Sequence, residues 1–124
     1  MRRETQAERA EPKRTEAQLQ RLILDYLAAK GIMAFRMNTG AVKTEGRFFR
    51  FGVPGMADVL AFDQFYKCFD DEMKGPFIQP VWIECKAPKG VQSALQKSFQ
   101  QQVEREGHRY IVARTLEEVQ EVLG

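Results

Sequence analysis

Cysteine and histidine are nearly absent. The 124 residues hold two cysteines, Cys68 and Cys85, and one histidine, His108. Two cysteines are too few for a disulfide framework, and a single histidine excludes most His-based zinc sites. A Ser or Cys nucleophile served by His108 is disfavoured too, because the sole histidine opens a predicted strand. No run approaches the ~18 apolar residues of a membrane span. The first residues, MRRETQAERAEPKRTE, lack the apolar centre of a secretory signal. Gly40 and the pair Gly52/Gly55 make no Walker or dinucleotide fingerprint, and there are no internal repeats. These absences predict a reducing, cytoplasmic setting. What is present, 44% hydrophobic and 29% charged residues, is the composition of one soluble globular domain. Its core suffices for a two-layer α/β fold.

The formal charge is +2, with 19 basic side chains against 17 acidic ones. Residues 1–14 carry five basic and three acidic groups and little to bury, and read as a flexible charged arm ahead of a domain over residues 15–124. Arg36, Lys43, Arg47 and Arg50 stand against Glu45, whereas residues 58–73 hold five acids against Lys67. Such segregation suits a basic rim beside an acidic pocket, and a basic rim suits phosphate backbones. Ordinary surface charge accounts for the same counts.

Thr15-x-x-Gln18 fits a capping box, and Leu19, Leu22, Ile23, Tyr26 and Leu27 recur at helical spacing up to Gly31. Residues 32–38 read as a strand, 39–45 as a loop and 47–51 as a second strand. Gly52-Val53-Pro54-Gly55 is a turn before a third strand over 57–62. Residues 63–78 mix acids, aromatics, Gly75 and Pro76, and read as a variable loop or a hairpin insertion. Residues 80–87 form a strand ended by Pro88 and Gly90. Ser93-x-x-Gln96 caps a helix with Leu95, Phe99 and Val103 inward, and Gly107 stops it. Residues 109–113 are the last strand, and Thr115-x-x-Glu118 caps a closing helix with Leu116, Val119 and Leu123 inward. The order is α-β-β-β-β-α-β-α. Its last strand–helix–strand unit predicts a parallel, right-handed crossover within a mixed sheet flanked by helices.

Glu84 and Lys86 are charges in an apolar strand, and period two puts both on one face. They are costly there unless paired or set in a polar cleft. A structural ion pair, or an edge strand with one wet face, is the plain alternative. Glu-x-Lys occurs three times in this chain, at Glu11, Glu72 and Glu84, and only the last lies in an apolar β-like run. Asp58 follows the glycine turn and opens another apolar run, where it can meet Glu84 from a neighbouring strand or serve only as a strand-start residue. Two converging carboxylates raise each other's pKa unless a cation sits between them. A hard, oxygen-liganded ion such as Mg²⁺ relieves that conflict, and Lys86 beside it can orient water or steady developing charge. Glu16 shares the inward face of its helix and Gln96 adjoins the Leu95/Phe99 stripe. Each also has a simpler role at its helix N-terminus. Cys85 reads as a core residue and His108 as a turn residue. Phe48, Phe49 and Phe51 read as a half-buried strand, although aromatics among arginines also stack on bases.

The ordered set Glu16, RMNTG (36–40), GRFFRFGVPGMAD (46–58), WIECKAP (82–88) and LQKSF (95–99) resembles the VRR-NUC family, the virus-type replication-repair nuclease domain of the PD-(D/E)XK superfamily. The resemblance runs from about Thr15 to the C-terminus, with Ala57 where the family often has proline. It implies a restriction-endonuclease-like core and a Mg²⁺- or Mn²⁺-dependent endonuclease. Asp58, Glu84 and the backbone carbonyl of Cys85 would hold metal, Lys86 and Gln96 would position water and scissile phosphate, and Glu16 would assist at the metal. Arg36, Asn38, Lys43, Arg47, Arg50 and Lys89 would contact DNA. Stand-alone members of the family look like small phage or bacterial nucleases that act as homodimers on branched DNA such as Holliday junctions or flaps. That implies DNA as partner, a two-fold dimer, roles in replication, repair and recombination, and a bacterial or phage-infected cytoplasm. Two alternatives stay open: a non-catalytic DNA-binding module of the same fold, and a restriction-like nuclease.

Overall fold

The computed structural model of the chain describes residues 15–37, 40–44, 47–51 and 53–124. The arm expected over residues 1–14, the contact expected of Asn38, and the side chains of Lys43, Arg47 and Arg50 lie outside what is described.

Helix α1 (Glu16–Ala29) starts at a closed capping box. The Gln18 N–H donates to Thr15 Oγ1 at 3.1 Å and the Thr15 N–H donates to Gln18 Oε1 at 2.9 Å. The helix buries Leu19, Ile23 and Leu27, the inward stripe of the expected face. Strands β1 (Ala34–Arg36), β4 (Val59–Phe69), β5 (Glu72–Cys85) and β6 (Arg109–Ala113) form a four-stranded sheet in the order β1-β4-β5-β6. Strands β2 (Gly40–Thr44) and β3 (Arg47–Phe51) make a separate antiparallel pair. Helices α2 (Ala94–Arg105) and α3 (Leu116–Leu123) flank β6 in the chain.

The β5–β6 pair is parallel, from Val81↔Arg109 to Cys85↔Ala113, as a strand–helix–strand crossover requires. The β4–β5 and β1–β4 pairs are antiparallel, so the sheet is mixed. One face of it carries Val59, Ala61, Val81, Ile83, Cys85, Ile111 and Ala113 against Leu19, Ile23 and Leu27 of α1 and Val119 of α3. On a second cluster, Phe99 and Val103 of α2 pack with Ala57, Trp82 and Tyr110. Helices therefore cover both faces, and three layers replace the two expected. Full burial of each aliphatic side chain is worth about 1.5–3 kcal/mol. Trp82 anchors the α2 layer: its ring meets Phe99 edge-on at 4.9 Å and its Nε1–H donates to His108 Nδ1 at 2.9 Å. The histidine expected only to turn the chain thus also satisfies a half-buried indole.

Two further expectations need correction, and one open alternative is decided. Residues 39–45, read as a loop, contain β2, because its ladder with β3 supplies the order that the polar run Lys43-Thr44-Glu45 does not announce. The strand order is consequently α-β-β-β-β-β-α-β-α. Residues 63–78 take the hairpin alternative: they extend β4 and β5 into one long antiparallel arm turning at Asp70-Asp71, both at positive φ. Leu95, expected inward with Phe99 and Val103, is 59% exposed. At that point the chain that packs on α2 is the Gly55 turn, and it meets the backbone of Leu95 rather than its side chain.

Candidate functional site

Asp58 immediately precedes β4, whose Val59 lies opposite Ile83 of β5. Continuing that antiparallel register by one residue sets Asp58 opposite Glu84, and directly paired residues share a sheet face. Lys86, two residues beyond Glu84, follows on the same face. Two hydrogen bonds hold Asp58 in place: the Cys85 N–H donates to its Oδ2 at 2.7 Å and the Met37 N–H donates to its carbonyl at 2.7 Å. The glycine turn ahead of it is packed tightly. Gly55 has φ +82°, and a Cβ there would collide with the Leu95 carbonyl and come within 2.9 Å of the Gln96 nitrogen. The turn therefore seats the start of β4 against the first turn of α2, and only glycine fits.

Glu84 is fully buried and Lys86 is 9% exposed. Glu84 Oε1 accepts from the Tyr110 hydroxyl at 2.6 Å and from Gln92 Nε2 at 3.0 Å. Its Oε2 has no hydrogen-bond partner among the described residues, and the nearest cation is Lys86 Nζ at 3.8 Å. Glu16, on the first turn of α1, reaches the end of β5, where its Oε1 accepts from the Ala87 N–H at 3.4 Å. The five residues Glu16, Asp58, Glu84, Cys85 and Lys86 thus meet at one end of the sheet.

The electrostatics record the same convergence. Burial raises the Asp58 pKa above the ordinary carboxylate value of 3.8; the Cys85 N–H opposes this, the charges of Glu16 and Glu84 raise it further, and Lys86 lowers it. The Cys85 thiol is pushed up to about 12, first by burial and then by the three carboxylates. It is therefore an inert core group, as the sequence suggests. Tyr110 is raised too, by burial and then by its hydrogen bond to Glu84, so it remains a phenol and a donor.

Gln96 serves its helix end: its Oε1 accepts from the Ser93 N–H at 2.8 Å. The glutamines at the carboxylates are instead Gln92, on Glu84, and Gln100, whose Oε1 accepts from Gln92 Nε2 at 2.8 Å. With Tyr110 they are the site residues that sequence reading misses. Arg36 and Lys89 are exposed. They flank the cluster in the chain, one residue before Met37 and three after Lys86.

Among the described residues, no three His, Cys, Asp or Glu side chains stand close enough to hold a metal ion as an all-side-chain cage. The Asp58–Glu84 pair nevertheless fits one class of ion. Both donors are hard oxygens, and Glu84 Oε2 is a buried carboxylate oxygen with no hydrogen-bond donor among the described residues. Mg²⁺ characteristically uses one or two carboxylates and keeps several waters, whereas Zn²⁺ favours His or Cys and Ca²⁺ takes a larger shell of six to eight oxygens, waters included. A cavity of about 670 Å³ lies elsewhere, where α1 ends, lined by Lys30, Ile32, Met33, Phe62, Asp63 and Ile78. It gathers no comparable set of groups.

No helix among the described residues is long and apolar enough to cross a membrane. No protein-family model, no curated protein and no solved structure matches this chain.

Proposed function

We propose that this protein is a metal-dependent DNA endonuclease with a PD-(D/E)XK core, hydrolysing phosphodiester bonds in branched DNA. One observation carries the reading: Asp58 and Glu84, 26 residues apart in the chain, fall opposite one another when the β4–β5 register is continued by one residue, with the Lys86 ammonium 3.8 Å from Glu84. Asp58 and Glu84 would hold Mg²⁺ or Mn²⁺, with the Cys85 carbonyl and Glu16 at its margin. Such an ion supplies Lewis-acid polarisation of the phosphoryl oxygen and a bound water of lowered pKa. Burial keeps the Lys86 ammonium at one edge of the site, where it can stabilise negative charge gathering on the scissile phosphate as water adds and the ester bond breaks. Arg36 and Lys89 would meet phosphates on either side, as would Asn38, Lys43, Arg47 and Arg50. One domain offers one such site. Cutting two strands of a junction symmetrically calls for two, so a two-fold homodimer completes the proposal.

The test is cleavage of labelled four-way, flap and linear DNA in Mg²⁺, Mn²⁺ or chelator. Branched substrates are expected to be cut only with metal. Asp58→Ala is expected to abolish cutting, and Lys86→Ala to slow it at least about 100-fold, the scale of a lost charge-stabilising donor. Full cleavage by either variant refutes the assignment. A second reading rests on the Glu84–Lys86 contact, which is also the geometry of a structural ion pair. In that case the domain binds DNA without turnover, and the same assay returns salt-sensitive binding and no product in any metal.

A further inference from the structure

Glu84 treats its two oxygens unequally. Both hydrogen bonds it accepts from neutral donors fall on Oε1, from the Tyr110 hydroxyl at 2.6 Å and from Gln92 Nε2 at 3.0 Å. Gln92 has two amide hydrogens, and its second bond, at 2.8 Å, goes to Gln100 Oε1, which fixes its orientation. The donors come from different parts of the fold: Tyr110 from β6, Gln92 from the connection between β5 and α2, and its brace Gln100 from within α2. Oε2 of the same carboxylate is buried and receives no hydrogen bond among the described residues. Leaving a buried acceptor unpaired costs about 1–3 kcal/mol. A carboxylate kept only for stability would gain by spreading its two donors over both oxygens. Here they are stacked on one, and the other has only the Lys86 ammonium near it, at 3.8 Å.

We propose that Tyr110 and Gln92, the latter braced by Gln100, clamp Glu84 so that it offers a cation a single oxygen, and that this restriction selects Mg²⁺ or Mn²⁺ over Ca²⁺. The proposal rests on the metal-dependent reading above. Its physical basis is coordination geometry. Mg²⁺ and ions of its kind take near-octahedral shells that suit one oxygen per carboxylate, whereas Ca²⁺ accepts both oxygens of a carboxylate in a larger, looser shell. Freeing Oε1 would let Glu84 rotate and present both. Tyr110, Gln92 and Gln100 are positioning residues, since they act through Glu84.

The experiment uses the full chain without DNA. Mn²⁺ binding is followed by the electron paramagnetic resonance signal of the free ion, and Ca²⁺ is then titrated in as competitor. The wild type is expected to bind Mn²⁺ in a manner abolished by Asp58→Ala. Tyr110→Phe is expected to weaken Mn²⁺ about tenfold, the usual scale for losing a hydrogen bond to a metal ligand. Ca²⁺ affinity should hold or rise, so the Mn²⁺/Ca²⁺ preference falls by about the same factor. Gln92→Ala should shift the preference in the same direction and serves if Tyr110→Phe does not fold. A purely structural role would weaken both ions alike. Parallel loss of both, or unchanged Mn²⁺ binding in the variants, overturns the clamp while leaving the metal site standing. Absence of Asp58-dependent Mn²⁺ binding in the wild type overturns both readings.

Discussion

Asp58 bears an electrostatic penalty whenever no cation is bound. Its pKa is raised, chiefly by burial and further by Glu16 and Glu84. A raised native pKa means that the folded chain holds the proton more tightly than the unfolded chain does. The associated stabilisation is complete below the ordinary value of 3.8 and is lost as pH rises through the native pKa. The penalty on the charged form grows as pH rises from there toward neutrality. Asp58→Asn removes it while keeping an oxygen to accept from the Cys85 N–H. In metal-free buffer this substitution should therefore raise the melting temperature at pH 7, with the gap closing as pH falls through the raised native pKa and gone below the ordinary value of 3.8. A variant that melts lower than wild type at pH 7 would contradict the sign. Asp58 and Glu84 are legible in the sequence because each breaks an apolar run at a strand, and period two then fixes the face of Glu84 and Lys86. Tyr110 is not legible in that way. Nothing in Arg109–Ala113 says that its tyrosine opposes Trp82, since that depends on a parallel register set by the whole sheet. Gln92 sits in the irregular connection between β5 and α2, where no periodicity marks it.

At the scale of elements, the site depends on a turn more than on any helix. Gly55 joins left-handed backbone to a close approach on α2, whereas Gly31 has similar backbone, φ +74°, with nothing near its missing Cβ. The pair separates two costs. Gly31→Ala should lose only the left-handed penalty, about 1–2 kcal/mol. Gly55→Ala should lose that and more, because the chain must move off the Leu95 carbonyl. It should also depress Mn²⁺ binding and cleavage, since Asp58 lies three residues on. Chemical denaturation of both variants measures the difference, and equal losses would show that the contact with α2 is unimportant. The same turn explains an element that the sequence misrepresents. Helical spacing aligns Leu95 with Phe99 and Val103, yet Leu95 is exposed because the Gly55 turn occupies the backbone side of that first helical turn. Helix starts are read more securely. Thr15 and Ser93 close both halves of their capping boxes with residues three positions away, so local sequence contains the whole interaction. Strand β2 is the opposite case, for its order comes from pairing with β3 and not from its own pattern.

For the molecule as a whole, the β4–β5 arm is a distinct unit. Strand β1 pairs with β4 only at Val59–Ala61, and β6 pairs with β5 only at Val81–Cys85. Beyond those points the two strands form a ribbon with no third strand among the described residues. Neither core cluster takes a residue from 63–80. Phe65 and Phe69 pack on Phe77 at 5.7 and 6.1 Å, but all three stay more than a third exposed, as do Tyr66, Met73 and Ile78. A two-stranded hairpin by itself is marginally stable in water, so the arm adds little to the stability of the sheet it extends. Replacing residues 66–76 with Asn-Gly would bring Phe65 and Phe77 to either side of a two-residue turn, in the register they already have. The shortened chain should unfold in one cooperative transition, with a melting temperature within a few degrees of wild type. In the intact chain, amides of the arm should exchange with solvent far faster than those of Val81–Cys85. A large drop in melting temperature, or equal protection along the whole of β5, would mean that the arm is bound into the cooperative core. If it is not, the domain that holds Asp58, Glu84 and Lys86 together is the short part of the sheet alone, and Mn²⁺ binding should survive the deletion unchanged.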